Sequence, residues 1–348
     1  MPTLYTCTDT EAPTPLQSNN YSQSFDAMCD ILRGCLVTGY GSKPAAGWEE
    51  VHFIQHSTLS LRPASKLFTL TLVNRGTSAT ATNGVLFFLS ESVTEFPSSS
   101  GANQRPIGNN VRSGYYSPET NPSGDTQGWR FGTVYWGNWS MVADENTFAF
   151  YRGGWGNTSG TSPSYSHENY LYVGEVRSTL GMGGLAAICA AGGHNSTGIS
   201  TGSAHSYARY PWGFGSTFLR NPLTGLINNG AGSRIVVPPY EAMNSSSSSY
   251  STEHINIQTG LDSLDMVRTP AHYGSDDAFG YLKGVVGVPS SWVSGYGAHV
   301  AKALGLYDQT SLPHEWFGVP VTLEDGFEYS ICGTASWPTL LTNNPDFW

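Results

Sequence analysis

Residues 24–38, SFDAMCDILRGCLVT, and residues 39–48, GYGSKPAAGW, contain the clearest structural signal in this chain. In the first stretch the apolar residues recur at spacings of three and four, which is the period of an amphipathic helix. They are Phe25, Met28, Cys29, Leu32, Cys35 and Leu36. Ser24 is a suitable N-cap, Asp26 would lie in the first turn, and Gly39 is a suitable stop. We therefore predict a helix over about 24–38, followed by a turn-rich loop.

Beyond this loop the apolar period changes to two, which is typical of half-buried strands in antiparallel sheets. The alternating pairs are Leu70 and Leu72, Phe148 and Phe150, and Tyr329 and Ile331. The run 85–89, VLFFL, is apolar on both faces and predicts a central strand. The sequence thus predicts a mainly β protein with an antiparallel, sandwich-like core, one N-terminal amphipathic helix and long ordered loops.

The long connections are rich in Gly, Ser and Asn but contain aromatic residues. They are residues 98–128, 153–166, 192–202 and 244–252. Aromatic side chains in such loops indicate ordered segments that pack on a neighbour, such as another subunit. No sharp domain boundary is visible. We divide the chain into a helix-plus-sheet domain at 1–180 and a β-rich continuation at 181–348, and a single domain remains the alternative.

The composition excludes several classes of function. With 26 acidic and 16 basic residues, the net charge of −10 argues against binding to nucleic-acid phosphates. The longest apolar run, Leu185–Ala191, is too short to span a membrane. The start of the chain, Met1–Glu11, lacks the basic and apolar regions of a signal peptide. We therefore expect a protein with no membrane span and no leader, and with reduced cysteines.

Motifs for catalysis or cofactor binding are not found in the sequence. It has no HExxH, GxSxG or GxxxxGK[ST] pattern, and the isolated Asp9 belongs to no calcium-binding loop. Three pairs of neighbouring acids have the residue type that a glycosidase needs. They are Asp144-Glu145, Asp276-Asp277 and Glu324-Asp325. Because each pair lies in a turn-like setting, we interpret them as hairpin corners. We predict no catalytic, cofactor-binding or metal-binding residue.

The helix and its loop, Asp30–Trp48, resemble a signature of virion structural proteins of tailed bacteriophages. In that family a leucine-bearing helix ends in a V-x-G-Y-G-x-K-x-A-x-G-W turn. Three further segments are similar to elements of the family and keep their order. They are Trp139–Phe148, with a tryptophan, an acidic turn and an aromatic strand, Tyr172–Val176, and Gly280–Pro289 with its G-x-L-x-G pattern. Together these markers extend over most of the chain.

The resemblance implies a non-enzymatic structural subunit of a virion, in the tail, baseplate or neck, with capsid decoration as the nearest competitor. It implies assembly in the host cytoplasm, contacts with other virion proteins and with further copies of the chain, and no cofactor. A low charged fraction of 12% and only four lysines suit a surface that becomes an interface. The alternative is a β-sandwich carbohydrate-binding protein or glycosidase that contacts a host surface glycan, which the 10 tryptophans and 19 tyrosines would also suit.

Overall fold

The structure is a computed structural model. It describes residues 1–14, 21–74, 85–101, 104–113, 135–155, 168–178, 187–194, 217–220, 226, 267–273, 277–287, 318, 320–332 and 339–348. Helix α1 (Tyr21–Arg33) continues into a π-helical turn at Gly34–Thr38, and a 3-10 turn (Pro345–Phe347) lies near the end of the chain. The strands of the described residues are, in chain order, β1 (Thr3–Thr6), β2 (Glu49–Ile54), β3 (Thr58–Arg62), β4 (Thr69–Asn74), β5 (Val85–Ser90), β6 (Ser92–Glu95), β7 (Ile107–Asn109), β8 (Arg112–Ser113), β9 (Tyr135–Ala143), β10 (Thr147–Trp155), β11 (Glu168–Ser178), β12 (Ala187–His194), β13 (Thr217–Phe218), β14 (Val267–Tyr273), β15 (Asp277–Gly287), β16 (Pro320–Thr322), β17 (Glu328–Cys332) and β18 (Thr339–Thr342).

The strands form two main sheets and one small ribbon. The larger sheet has eleven strands in the order β1-β9-β10-β11-β15-β18-β17-β16, with β12, β13 and β14 attached to its side, and it nearly closes into a barrel. The second sheet has the order β2-β3-β4-β5-β8, and β6 pairs with β7 in the ribbon. The pairings between described strands are antiparallel, so the predicted mainly β, antiparallel fold is confirmed.

Helix α1 packs against both main sheets through the predicted apolar stripe. All six stripe residues are buried, and they share one apolar cluster with residues of the second sheet and of one face of the larger sheet. Because the helix and both sheets contribute to the same cluster, this is the main core of the described residues. On the other face of the larger sheet, Ser140 Oγ of β9 lies 3.4 Å from Cys332 Sγ of β17, which shows that the sheet curls over itself.

The predicted helix start was wrong, because α1 begins at Tyr21 rather than Ser24. Ser24 is inside the helix and buried, so it is not an N-cap, and Asp26 lies beyond the first turn. The carboxylate of Asp26 instead accepts a hydrogen bond from the backbone N–H of His56, at 2.7 Å. The predicted stop is confirmed: Gly39 follows the last helical residue with φ of 73°, a conformation that favours glycine.

The expectation of half-buried strands was wrong for β4 and for residues 147–152 of β10, which are buried on both faces. The threonines that alternate with Leu70 and Leu72 lie on the same face as Thr58 and Ser60 of β3, and Thr58 donates a hydrogen bond to Pro97 O. The Thr71 hydroxyl lies 3.0 Å from the Ser60 hydroxyl. Small hydroxyl side chains can be buried in this way because their hydrogen bonds are satisfied inside the protein. The predicted strand at 85–89 is confirmed as β5, between β4 and β8.

Strands on both sides of residue 180 share the larger sheet. Strand β11 pairs with β12 and with β15, which lie beyond that position in the sequence. The division into domains at 1–180 and 181–348 stays a prediction. Within the first long connection, residues 98–101 and 104–113 are described, and they include β7 and β8. Most of the remaining length of the four connections lies outside the described residues. None of the helices in the described ranges combines the length and apolar character needed to cross a membrane.

The assignment of the apolar stripe predicts that substitutions at Leu32 and Asp30 differ strongly in their effect on the free energy of unfolding. Leu32 is fully buried, so Leu32→Ala should lower the free energy of unfolding by about 2–5 kcal/mol through lost burial and a cavity. The Asp30 side chain is 63% exposed, so Asp30→Asn should change it by no more than about 0.5 kcal/mol. Chemical denaturation of both variants measures this, and equal losses would contradict the assignment.

Candidate functional site

The loop at 39–48, which we name the anchor loop, continues directly from the π-helical turn and satisfies its carbonyl groups. The backbone N–H groups of Gly47 and Trp48 donate to Leu36 O at 3.1 and 2.9 Å, and Ala46 N donates to Cys35 O at 3.0 Å. The end of a helix otherwise leaves such carbonyls without partners. The loop therefore has one fixed path away from the helix.

Glycine is required at position 41 of the anchor loop. Its φ is +51°, and a Cβ atom there would lie 2.3 Å from the backbone oxygen of Thr10. A larger residue would force the loop away from the N-terminal segment. The G-Y-G pattern of the signature therefore has a backbone explanation, since Gly39 and Gly41 both have positive φ.

Trp48 ends the anchor loop and joins the two main sheets. Its ring packs edge-on against Phe68, just before β4, at 5.9 Å, and against Phe148 of β10 at 5.3 Å. Its indole Nε1 donates a hydrogen bond to Asp144 O at 2.9 Å. Only 4% of Trp48 is exposed. A buried indole needs such an acceptor, so both the ring and its N–H group fix the position of the loop.

Lys43 connects the anchor loop to both ends of the described chain. Its Nζ atom donates to Leu4 O of β1 at 2.9 Å, and it lies 3.7 Å from Asp9 Oδ1 and 3.7 Å from Glu328 Oε2 of β17. The Lys43 side chain is 21% exposed. The ammonium group is thus held where β1 approaches β17, and its chemical role is to hold these strands together.

Asp9 and two tyrosines complete this polar cluster. Asp9 Oδ2 accepts hydrogen bonds from Tyr40 OH at 2.9 Å and from Thr6 N at 2.7 Å, and Tyr5 OH donates to Pro44 O at 2.8 Å. Burial raises the pKa of Tyr40 and of Tyr5 well above the ordinary value. Both phenols therefore stay protonated and act as hydrogen-bond donors rather than as bases.

Cys35 lies beside this cluster and is fully buried. Burial raises the pKa of its thiol well above the ordinary value. Since the thiolate is the nucleophilic form of cysteine, Cys35 behaves as an inert core residue.

The acidic pairs of the sequence lie at turns, as far as the structure describes them. Asp144 Oδ1 accepts from the backbone N–H groups of Asn146 and Thr147, at 2.8 and 2.7 Å, and so closes the β9–β10 hairpin. In the β16–β17 turn, Asp325 Oδ1 accepts from Phe327 N at 3.0 Å. Asp277 begins β15, and Asp276 lies outside the described residues. These contacts support the interpretation of Asp144 and Asp325 as hairpin corners.

Asp325 also binds side chains near the end of the chain. Its Oδ2 atom accepts from Tyr329 OH at 2.6 Å and from Asn344 Nδ2 at 2.9 Å. Burial and this hydrogen bond to Asp325 raise the pKa of Tyr329 to about 12. With both oxygens engaged, the carboxylate holds the β16–β17 turn against the segment after β18.

Two described tryptophans belong to the core. Trp139 is fully buried and its Nε1 donates to Pro13 O at 3.1 Å, as Trp48 donates to Asp144 O. These two rings therefore offer no exposed platform for a sugar; Trp337 lies outside the described residues. Among the described ranges, no group of three or more His, Cys, Asp or Glu side chains is placed to hold a metal ion.

The four segments that carry the family resemblance, here called the framework segments, meet in space. The first contacts the second through Trp48 and Asp144, and the second contacts the third where Glu175 N donates to Thr147 Oγ1 at 3.1 Å. The third contacts the fourth where Lys283 N donates to Tyr172 OH at 3.0 Å. A continuous line of contacts thus runs from the anchor loop to β15.

Sequence reasoning missed the cluster around Lys43. It treated Asp9 as isolated and gave Lys43 no role beyond its place in the signature. The only available signal was the lysine within the G-Y-G-x-K pattern, because Leu4, Asp9 and Glu328 are distant from it in sequence.

The Lys43 contacts predict a measurable contribution to stability. Lys43→Met should lower the free energy of unfolding by about 1.5–3 kcal/mol, because Leu4 O and the Asp9 and Glu328 carboxylates lose a charged partner. Lys66→Met is the matched control, since Lys66 is exposed, and it should change stability by no more than about 0.5 kcal/mol. Urea denaturation compares them, and equal values would show that the Lys43 contacts do not stabilise the fold.

Comparison with known proteins adds no relative to this description. No protein-family model, no curated protein and no solved structure matches the chain. A function for it therefore has to rest on its own residues.

Proposed function

We propose that this chain is a non-enzymatic structural subunit of a tailed-bacteriophage particle, located in the tail, baseplate or neck. It acts through contacts with other virion proteins and with further copies of itself, and it is assembled in the host cytoplasm. The observation that carries the proposal is the connection of the four framework segments into one line of contacts. The segments that resemble the virion protein family are thus the segments whose mutual contacts hold this fold together.

The polar groups of the framework segments support a structural role. Lys283 Nζ lies 3.3 Å from Glu175 Oε2, and the Asp144 carboxylate binds backbone N–H groups of its own turn. A catalytic site would need such groups to face a space that a substrate can enter. Here the polar groups bind one another or the backbone, and these contacts hold neighbouring strands in register.

Exposed parts of the described surface suit assembly contacts. All three residues of β7 are exposed, and Ile107 at its start is 56% exposed. Leu67, in the loop before β4, is 47% exposed. Apolar side chains on a surface poor in lysine are compatible with protein–protein contact, because apolar area gains free energy when a partner covers it.

The direct test is the protein composition of purified particles. Particles from a lysate of cells that produce this chain are banded in a density gradient, and the chain is quantified by mass spectrometry in each fraction. We expect a constant ratio of this chain to the other particle proteins across the band, because a structural subunit is present in a fixed number of copies.

A soluble host protein of similar abundance serves as the control and should stay out of the band. Recovery of this chain only with that control, in the soluble fractions, would contradict the proposal. Cleavage of a host glycan by the purified chain would contradict its non-enzymatic part.

A further inference from the structure

Two arginines from different strands converge on one backbone oxygen. Arg177 Nη1, near the end of β11, donates to Asp346 O at 2.7 Å, and Arg268 Nη2 of β14 donates to the same oxygen at 2.6 Å. The arginines are brought together by β15, which pairs with both strands. Arg177 is exposed and Arg268 is half-buried, so the place where they meet is open to solvent.

The shared acceptor is held firmly in place. Asp346 lies in the 3-10 turn, where its N–H donates to Asn344 Oδ1 at 2.9 Å. Two residues later, Trp348 Nε1 donates a hydrogen bond to Thr342 O at 2.8 Å, and its ring packs on Gly284 of β15. Gly284 has a φ of +68° and has no Cβ atom that would clash with the indole. The oxygen therefore positions both guanidinium groups.

These two arginines differ from other cations of the described chain in their partners. Four other cations each contact a carboxylate: Arg33, Lys43, Arg220 and Lys283. In the ranges that the structure describes, no ion pair includes Arg177 or Arg268. Arg268 also lies over the ring of Tyr281, at 5.9 Å. Two positive charges thus share one neutral acceptor.

Among the described residues, the acids close in sequence to these groups do not pair with either arginine. Glu175, two residues before Arg177 on β11, is paired with Lys283 at 3.3 Å. The carboxylate of Asp346 is on an exposed residue and forms no ion pair with either arginine. Each guanidinium group carries further N–H donors in its plane, which match the two oxygens of a carboxylate.

We propose that Arg177 and Arg268 form a binding site for a carboxylate side chain of a second copy of this chain, an inference that rests on the proposed function. Charge complementarity favours this occupant, because the chain has 26 acidic against 16 basic residues and so presents mostly carboxylates. Arginine is enriched at protein interfaces, where its planar group binds carboxylates through two hydrogen bonds.

Sedimentation velocity of the purified full-length chain over a range of protein and NaCl concentrations tests the site. The double variant Arg177→Gln/Arg268→Gln keeps polar side chains at both positions but removes both charges. The matched control Lys66→Gln/Arg105→Gln removes the same charge from two exposed residues elsewhere. We expect wild type and control to associate equally, the arginine variant to associate at least about tenfold more weakly, and salt to weaken the wild type.

A single variant, Arg177→Gln, covers the case in which the double variant folds poorly, because Arg177 is exposed. It should show an intermediate loss of association with an unchanged melting temperature. Equal association of the arginine variants and the wild type would overturn the inference. Isothermal titration with inorganic phosphate gives the other contrary outcome. If the wild type stays monomeric and binds phosphate, and the arginine variants lose that binding, the site takes phosphate and the inference is overturned. Particle composition, which tests the proposed function, is independent of these outcomes.

Discussion

The packing of Trp48 between the two main sheets is the constraint on which the rest of the described fold depends. Its ring contacts Phe68 beside one sheet and Phe148 in the other, and its N–H group binds Asp144 O in the turn between β9 and β10. The anchor loop can place Trp48 there only because it leaves the helix in one direction. That direction follows from the hydrogen bonds to the π-helical turn and from glycines with positive φ.

Polar residues around this centre act as links between distant parts of the chain. Lys43 holds β1 near β17, Asp325 holds a turn to the segment after β18, and Lys283 joins β15 to β11. Because burial favours the neutral form of a phenol, Tyr40 keeps its proton and its hydrogen bond to Asp9. These polar groups hold strands and turns of the fold together, which is in keeping with the proposal of a virion structural subunit.

The sequence predicted those features that depend on local periodicity. The stripe on α1 and the strands β5 and β10 follow from the spacing of apolar residues, and the structure confirms them. Features that depend on distant partners were not predictable: the buried Thr71 hydroxyl meets the Ser60 hydroxyl of β3, and Asp26 binds His56 instead of lying in the first turn of the helix. The candidate cluster was missed for the same reason, since Lys43, Asp9 and Glu328 form no local pattern.

Hydrogen exchange of a Trp48→Phe variant tests most directly whether Trp48 couples the two sheets. Phenylalanine keeps a ring in the core but leaves Asp144 O without its donor. Trp139→Phe is the matched control, because Trp139 is also buried, donates to the Pro13 carbonyl, and packs on Tyr40 and Phe150. We predict that Trp48→Phe lowers the protection of amides in β4 and in β10 together, whereas Trp139→Phe lowers it mainly in β9 and β10. Loss of protection in only one sheet after Trp48→Phe would contradict this account.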